Sequence, residues 1–272
     1  MLRPRITPCL LIRDRALVKT VRFADAKYVG DPVNAVKIFN EKEADELIAL
    51  DIDATAQQRQ PDFRLIAQIA VECRMPLCYG GGIKTVDQAK RIIGLGVEKI
   101  AISSAALENP EIVSLIAKEI GSQSVVVVFD VKKTAGDDYS VWTHNGTRKS
   151  KKVLVSLLEG AETLGAGEIL VNSVDNDGVM KGYDLPLSRL VRASTKLPMT
   201  ILGGAGSLAD IGALIRECGI VGAAAGSLFV FKGIYKAVLI NYPSQAQKEA
   251  ITQSALTDWE QLEGARVRPL AL

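Results

Sequence analysis

Short apolar runs rich in β-branched residues alternate along the chain with segments whose apolar residues recur at helical spacing. The runs are nearly continuous, as in parallel strands that are covered on both faces. Helical spacing is clear in residues 31–45 and in Val86–Gly94. The pattern predicts eight strands, at residues 5–12, 46–53, 75–80, 99–103, 124–130, 168–174, 198–203 and 220–226.

The second half of the chain repeats the pattern of the first. Glycine clusters at residues 80–82 and 203–206 each follow a predicted strand and precede a helix start. Residues 44–53 and 165–175 match in the same way. With 272 residues, these repeats favour an α/β (β/α)8 TIM barrel made of two four-unit half-barrels over an open doubly wound sheet.

Two segments fall outside the eight-unit pattern. Residues 137–152 are predicted to form a hairpin, because Asn145-Gly146 is a strong turn signal. Residues 244–272 mix Gln, Lys, Glu and Ala and predict a peripheral helix followed by a loose end. We therefore expect a barrel over residues 1–243 and a C-terminal extension over residues 244–272.

Charge and cysteine content exclude several classes of protein. The chain has 33 basic and 31 acidic residues, a net charge of +2, and no basic stripe interleaved with aromatic residues, so nucleic-acid binding is not expected. No segment approaches the roughly 20 apolar residues of a membrane helix. The four cysteines lack C-x-x-C spacing, as in reduced cytosolic proteins. A soluble cytoplasmic protein is expected.

The glycine clusters are candidate anion sites. Each brings backbone N–H groups and a helix start together, where a phosphate could bind. A second short strand ending in small residues follows each cluster, at residues 103–106 and 225–227. The duplicated arrangement predicts two facing phosphate sites and a ligand with a phosphate at each end.

In a barrel of this kind, polar residues at the carboxyl ends of strands are candidates for chemistry. Asp130 stands out, because it ends a run of five apolar residues, and we favour a general acid or base role over simple pairing with Lys132 or Lys133. Lys19 could neutralise substrate charge. The other candidates of this kind are Asp51, Asp53, Asn172, Ser173, Asp175 and Asp177.

Metal and nucleophile sites have little support. His144 is the only histidine and lies in the predicted hairpin, so a His-based triad or metal cage is not expected. No cofactor is expected either.

Two basic and two acidic residues begin predicted strands, each just before the apolar run, at the opposite end of the barrel. In a closed barrel they could meet as a ring across the opening, either as a structural ion-pair cluster or as a gate for a small neutral molecule. They are Arg5, Glu46, Lys99 and Glu168.

Together these motifs resemble the cyclase subunit of imidazole glycerol phosphate synthase, a bisphosphate-binding barrel of histidine biosynthesis. The resemblance runs from Arg5 to about Tyr242 and includes GGGI at residues 80–83, GSQSVVVVFD at 121–130 and DGVMKGYD at 177–184. It implies a catalytic role for Asp130 and an active-site lysine at Lys19. The implied phosphate sites are Gly82, Ser103 and Ser104 at one end, and Asp177, Gly178, Gly204, Gly226 and Ser227 at the other.

The chain departs from the family at three site positions. The family has a second catalytic aspartate at the end of the first strand, where this chain has Leu11. Ser103 replaces a usual asparagine, and Asn172, an expected substrate contact, stands near a usual threonine. Because leucine cannot exchange a proton, ring closure and cleavage are expected to be impaired.

The charged ring, in contrast, matches the gate through which family members admit ammonia from a glutaminase subunit. Glu98 matches a position in that subunit interface. Preserved ammonia supply with impaired ring closure resembles paralogues in surface-polysaccharide pathways, which help a sugar amidotransferase convert an acetamido sugar into an acetamidino sugar. We therefore expect a glutaminase partner and a phosphorylated ligand.

Three alternatives remain open. The chain could be a working histidine-pathway cyclase in which Asp53 or Asp177 replaces the missing carboxylate. It could be a non-catalytic scaffold that activates a glutaminase. A phosphosugar isomerase on the same half-barrel plan is weaker, because it too would need an aspartate at position 11.

Overall fold

Eight parallel strands close into a barrel in the computed structural model, which describes residues 3–136 and 138–267. The strands of the fold are β1 Arg5–Arg13, β2 Ala16–Val21, β3 Ala24–Gly30, β4 Leu47–Asp51, β5 Leu77–Gly80, β6 Lys99–Ile102, β7 Val125–Lys133, β8 Tyr139–Thr143, β9 Arg148–Val153, β10 Glu168–Ser173, β11 Met199–Leu202, β12 Gly222–Ala225, β13 Phe231–Lys232 and β14 Ala237–Val238. The α-helices are α1 Pro32–Glu41, α2 Phe63–Glu72, α3 Val86–Gly94, α4 Ser104–Glu108, α5 Glu111–Ile120, α6 Leu154–Thr163, α7 Leu185–Ser194, α8 Leu208–Cys218, α9 Ser227–Val230 and α10 Gln245–Val267.

The barrel order is β1-β4-β5-β6-β7-β10-β11-β12, and β12 pairs in parallel with β1 to complete the circle. The predicted (β/α)8 fold is therefore confirmed, and all eight predicted strands are present. Antiparallel hairpins extend β1 through β2 and β3, and extend β7 through β8 and β9. Both hairpins lie at the carboxyl ends of the barrel strands, which we call the rim. The opposite end is the floor.

Alternation along each strand divides the core into two layers. In β1, Ile6, Leu10 and Ile12 pack outward under the helices, whereas Cys9 and Leu11 belong to a cluster inside the barrel. This is the period-two pattern of a strand covered on both faces. Inward-facing residues of successive strands therefore decide what the lumen and the rim cavity contain.

Equivalent glycines occupy equivalent positions in the two half-barrels. Gly81 has φ +119° and its α-carbon lies so close to the Asp51 carbonyl that a β-carbon would overlap it. Gly203, with φ +99°, stands in the same relation to the Ser173 carbonyl. In both pairs the two halves are 122 residues apart. Only glycine combines this backbone conformation with this close approach, so the repeated clusters are required by the duplicated architecture.

The hairpin formed by β2 and β3 was not predicted. Its turns use residues that carry side chains in the left-handed region: Asp14 and Arg15 at φ 48° and 64°, and Arg22 and Phe23 at 54° and 65°. Such turns usually contain glycine or asparagine. Because glycine and asparagine are missing from these turns, the sequence contains no local indication of a hairpin. Lys19 does follow the first strand, as predicted.

The predicted hairpin near residues 137–152 is present as β8 and β9; Asp137 lies outside the described residues. Its tip consists of His144, Asn145 and Gly146, all in the left-handed region. The first predicted helix ends at Glu41 rather than continuing to Asp45, and the following Glu43 has φ 53°. That turn frees Asp45 to accept a hydrogen bond from the backbone N–H of Ile6 at 3.0 Å.

Helix α10 packs along α8 and covers the junction where the last barrel strand, β12, meets the first, β1. We call this junction the C-terminal seam. The Trp259 ring lies against the α-carbon of Gly219, at the turn into β12. Lys248 Nζ lies 2.7 Å from Asp45 Oδ1, and Tyr242 Oη donates to the Ile6 carbonyl at 2.7 Å. The end of the chain beyond residue 267, predicted to be loose, lies outside the described residues.

Candidate active site

A cavity opens at the rim, where the inward-facing residues of the strands and their following loops converge. Its walls include Leu11, Leu50 and residues from all eight β–α units. The structure brings to this cavity the eleven residues that the family resemblance singled out: Lys19, Gly82, Ser103, Ser104, Asp130, Asn172, Asp177, Gly178, Gly204, Gly226 and Ser227. Of the further strand-end candidates, Asp51 also lines the cavity, whereas Asp53, Ser173 and Asp175 are not among its lining residues.

The first predicted phosphate site lies where the chain leaves β5 and β6. Gly82 has φ +72°, and a β-carbon there would come within 2.8 Å of the Arg59 carbonyl. The Ser103 hydroxyl is buried and has no hydrogen-bond partner among the described residues. Ser104 Oγ lies 3.5 Å from the His144 backbone nitrogen. The Ser103 hydroxyl is thus available to a ligand oxygen.

The second predicted phosphate site combines loop glycines with a buried amine. Gly178 passes so close to the Thr20 carbonyl that a side chain there would overlap it. Lys19 is 4% exposed, and its Nζ donates to the Cys9 carbonyl at 2.5 Å. Burial lowers the pKa of Lys19, although Cys9 and Asp177 partly oppose this. The amine also lies against Gly226, where a β-carbon would approach Nζ to 2.5 Å.

Lys19 is therefore poised for an anion at the second site. It is a buried cation with no carboxylate within 4 Å among the described residues. A cation in that setting is costly unless a counter-charge is supplied. A phosphate at the Gly226–Ser227 turn would supply it.

Asp130 is an acid whose proton affinity suits chemistry near neutral pH. Burial raises the pKa of Asp130 to about 7; the hydrogen bond from Asn172 opposes the rise and the Asp177 charge adds to it. Asn172 Nδ2 donates to Asp130 Oδ1 at 3.2 Å across the β7–β10 pair. Groups with a pKa near the working pH exchange protons most effectively.

The alternative pairing of Asp130 with Lys132 is not found. Lys132 Nζ instead donates to the Gly146 carbonyl at 2.9 Å and lies 4.2 Å from the centre of the Trp142 ring. The lysine thus fastens the β8–β9 hairpin. Asp130 remains directed into the cavity.

Leu11 lies in an apolar wall of the cavity, at the position where the resemblance implies a catalytic aspartate. It pairs in register with Leu50 of β4, and both side chains pack against the inner cluster of the barrel. The wall contains no proton-exchanging group at this point. Asp130 is therefore without a facing partner at the end of β1.

The two aspartates that could replace the missing carboxylate are engaged in other contacts. Asp53 forms a two-pronged ion pair with Arg13 at 2.6 and 3.0 Å and accepts from Asn145 Nδ2 at 3.1 Å. Asp177 accepts from Thr20 Oγ1 at 2.8 Å. These contacts position loops of the rim and favour a structural role for both aspartates.

The hairpin tip contributes residues to the cavity that the sequence did not reveal. His144 and Asn145 both line it, and Asn145 links the tip to Asp53. Burial and the nearby Arg148 lower the pKa of His144. Arg13 was missed for the same reason: each of these residues reaches the site through the fold and not through a local motif.

The four predicted ring residues meet at the floor. Arg5 lies 3.1 Å from Glu46 and 2.6 Å from Glu168, and Lys99 lies 2.7 and 2.8 Å from the same two carboxylates. Thr200 Oγ1 donates to Glu168 at 2.6 Å. Burial acts to raise the pKa of Glu168, but Arg5 and Lys99 outweigh it and hold that pKa below its ordinary value. The result is a closed, charge-balanced ring.

Glu98 lies on the same floor but outside the ring. Its Oε2 accepts from the backbone N–H of Leu77 at 2.6 Å, so the exposed side chain is held at the start of β5. It is available to a protein that approaches the floor.

Apolar side chains line the lumen between the ring and the cavity. This inner cluster consists of Cys9, Ile48, Cys78, Ala101, Val126, Val128, Leu170, Leu202 and Ala224. An apolar interior of this kind disfavours ions much more strongly than a small neutral molecule.

One hydroxyl interrupts this lining. Thr7 lies two residues beyond Arg5 on the inward face of β1; it is fully buried, and its Oγ1 has no partner among the described residues.

Thr7→Val should therefore raise the free energy of unfolding by about 1 kcal/mol, because it removes an unpaired hydroxyl without changing volume. Urea denaturation measures this. Thr200→Val is the control and should be destabilising, because it breaks the bond to Glu168; equal effects of the two changes would contradict the assignment.

Comparison with known protein families decides the class of this barrel. A family model described as "Histidine biosynthesis protein" matches residues 5–236. The chain belongs to this histidine biosynthesis family. A Vibrio vulnificus relative, provisionally named imidazole glycerol phosphate synthase subunit hisF3, is 58% identical over 92% of this chain and 96% of its own length.

Two further relatives place the chain within the family. A Leptospira borgpetersenii protein, also provisionally named imidazole glycerol phosphate synthase subunit HisF, is 57% identical over 92% of this chain and 99% of its own length. The Streptococcus sanguinis protein that carries the HisF name without qualification is 39% identical over 84% and 91%. The predicted resemblance to the HisF paralogue group is confirmed.

The described residues offer neither a metal site nor a membrane-spanning helix. No group of three or more His, Cys, Asp or Glu side chains is arranged to hold a metal ion within the described chain. None of its described helices has both the length and the apolar character needed to cross a membrane.

Proposed function

We propose that this chain is the ammonia-accepting synthase subunit of a glutamine amidotransferase pair. It would work with a HisH-like glutaminase and assist the amidination of a surface-polysaccharide sugar. The observation that carries the proposal is a combination: the floor ring is complete, whereas Leu11 fills the place of the first catalytic carboxylate with an apolar wall.

The floor and the lumen support a route for ammonia. The ring consists of Arg5, Glu46, Lys99 and Glu168 and has no net charge. If one of its ion pairs opened, a neutral molecule could pass while every charged side chain still had an oppositely charged neighbour in the ring. Beyond it the apolar lining favours ammonia over ammonium. A glutaminase on the floor near Glu98 would release ammonia at the ring.

The rim supports binding of a doubly phosphorylated ligand. One phosphate would contact Gly82, Ser103 and Ser104; the other would contact Gly178, Gly204, Gly226, Ser227 and the Lys19 amine, with Asp177 supporting the loop. Asp130, held by Asn172, would exchange protons with ammonia as it crosses the cavity towards the amidotransferase.

The contribution of Lys19 can be measured by phosphate-ligand binding. Lys19→Met should weaken binding of the histidine-pathway bisphosphate about 10-fold or more in titration calorimetry, because it removes the buried cation of the second site. Lys27→Met, which changes an exposed lysine of the same hairpin, should leave affinity within about twofold. Equal losses in both variants would rule out a specific role for Lys19.

The central experiment reconstitutes the chain with its glutaminase and a sugar amidotransferase of the acetamidino-sugar class. Labelled amide nitrogen of glutamine should appear in the sugar product, while turnover of the histidine-pathway substrate with ammonium salts should be very slow. Turnover near that of an ordinary cyclase, or complementation of a histidine auxotroph, would favour the histidine-pathway alternative. Two observations support that alternative: Asp130 is preserved, and the Streptococcus sanguinis relative carries the HisF name without qualification.

The Asp130→Asn variant distinguishes the scaffold alternative from our proposal. If the barrel only activates the glutaminase, this variant should keep both full glutaminase stimulation and full nitrogen transfer. Under our proposal glutaminase stimulation persists, because Asp130 is remote from the floor, but nitrogen transfer falls by about 10²-fold or more.

A further inference from the structure

Exposed apolar side chains are concentrated on the rim of this barrel. Of the eleven exposed large apolar residues in the described part of the chain, seven belong to rim hairpins or their immediate ends. Single exposed apolar residues are ordinary, but a concentration on one face marks an interaction surface. The seven are Val21, Tyr28, Val153, Ile234, Tyr235, Val238 and Leu239.

Most of these residues form one patch, because two of the hairpins touch. Lys27 of β3 lies over the ring of Phe231 of β13, 5.2 Å from its centre. Ile234 and Tyr235, at the tip between β13 and β14, are 88% and 90% exposed. We call this surface the rim patch: Ile234, Tyr235, Val238 and Leu239 of the β13–β14 hairpin with Lys27, Lys232 and Lys236.

The three hairpin segments are also far more basic than the molecule as a whole. Segments 16–30, 139–153 and 231–238 together carry eight exposed basic residues and a single acidic residue, Asp25, whereas the whole chain has a net charge of only +2. The eight are Arg22, Lys27, Arg148, Lys149, Lys151, Lys152, Lys232 and Lys236. Each hairpin therefore carries exposed basic groups, and the hairpin with the apolar tip carries two of them.

A small phosphorylated ligand accounts for only part of this surface. Positive charge around the mouth would attract phosphates, but it gives no reason to expose Ile234 and Tyr235 side by side. An aromatic residue in an apolar centre with a basic rim is instead typical of a protein-binding hot spot. The occupant must offer an apolar pocket surrounded by acidic groups.

We propose that the rim patch docks the enzyme that consumes the ammonia, through an acidic face that surrounds an apolar pocket. This inference rests on the proposed function. A barrel that conducts ammonia but lacks the carboxylate at position 11 must deliver the nitrogen elsewhere, and the mouth is where the lumen ends. Docking across the mouth keeps the ammonia out of water between the two proteins.

The experiment uses the full chain in complex with its glutaminase and measures its affinity for the sugar amidotransferase. Ile234→Asp together with Tyr235→Asp should weaken binding at least 10-fold and lower glutamine-dependent transfer to the sugar. Glutaminase stimulation should stay unchanged, which also reports that the barrel is folded. Leu115→Asp is the matched control, because Leu115 is 51% exposed in the middle of α5, away from both the rim and the floor, and should change nothing.

A charge variant provides an independent arm. Lys232→Glu with Lys236→Glu should lower affinity by a similar factor at low ionic strength, and the difference from the wild type should shrink as salt is added. Unchanged affinity for the amidotransferase in both double variants would overturn the proposal. It would also be overturned if the variants lost only binding to anionic phospholipid vesicles or only self-association. In these cases nitrogen transfer by the wild type would leave the proposed function intact. If the wild type transfers no nitrogen to the amidotransferase, the proposed function and this inference both fall.

Discussion

Leu11→Asp should raise ammonium-dependent turnover of the histidine-pathway substrate by about 10²- to 10⁴-fold, the usual contribution of a general acid or base. The other candidate residues line the same cavity: burial raises the pKa of Asp130 to about 7, and the residues of both proposed phosphate sites lie in its walls. The new carboxylate would lie at the end of β1, in the wall that faces the cavity. Steady-state assays with ammonium chloride measure the gain.

Leu50→Asp is the matched control for this gain. Leu50 is in register with Leu11 and packs in the same apolar wall, so it tests the mere presence of a carboxylate there. It should give no increase, and adding Asp130→Asn to Leu11→Asp should abolish the increase. If Leu11→Asp stays inactive with the bisphosphate bound, the substitutions at Ser103 or Asn172 are the decisive departures from the family.

Lys99→Met should lower the free energy of unfolding by about 3–5 kcal/mol near neutral pH. It leaves Glu46 and Glu168, 4% and 5% exposed, sharing the single cation of Arg5. An uncompensated buried charge of this kind is strongly destabilising. Denaturant unfolding followed by circular dichroism measures the loss.

The pH dependence of that loss identifies its cause. In the wild type the lowered pKa of Glu168 contributes stability that is present above its unfolded-state pKa and is lost as pH falls. The difference between the wild type and the variant should therefore be largest near pH 7 and shrink below about pH 4.5, where glutamates of the unfolded chain take up protons. Lys90→Met removes a surface pair with Glu119 at 3.0 Å and should have little effect on the free energy of unfolding at any pH, because water screens an exposed pair.

The elements that were predicted correctly from the sequence are those with local signals. Helix α3 begins and ends as predicted because Thr85 and Gln88 form a capping box at its start and its apolar residues recur at helical spacing. The barrel strands were found because burial on both faces makes them continuous apolar runs. The floor ring followed from charge placed just before strands of a closed sheet.

What the sequence could not reveal depends on contacts between distant segments. The turns of the β2–β3 hairpin use residues with side chains in the left-handed region, so no glycine marked them. The burial of Lys19, which gives that lysine its significance, comes from the same hairpin folding over the rim. His144 and Asn145 belong to the cavity only because Lys132 holds the hairpin tip at Gly146, and Lys132 had itself been considered a partner for Asp130.

The C-terminal seam has a consequence for how the protein is made. During synthesis the first strand leaves the ribosome early, yet one of its edges has no mate until residues 222–225 follow. The contacts of Tyr242 with Ile6 and of Lys248 with Asp45 are available later still. The nascent chain must therefore carry an open, adhesive strand edge for most of translation, and truncation before Lys248 should yield aggregates instead of a shortened barrel.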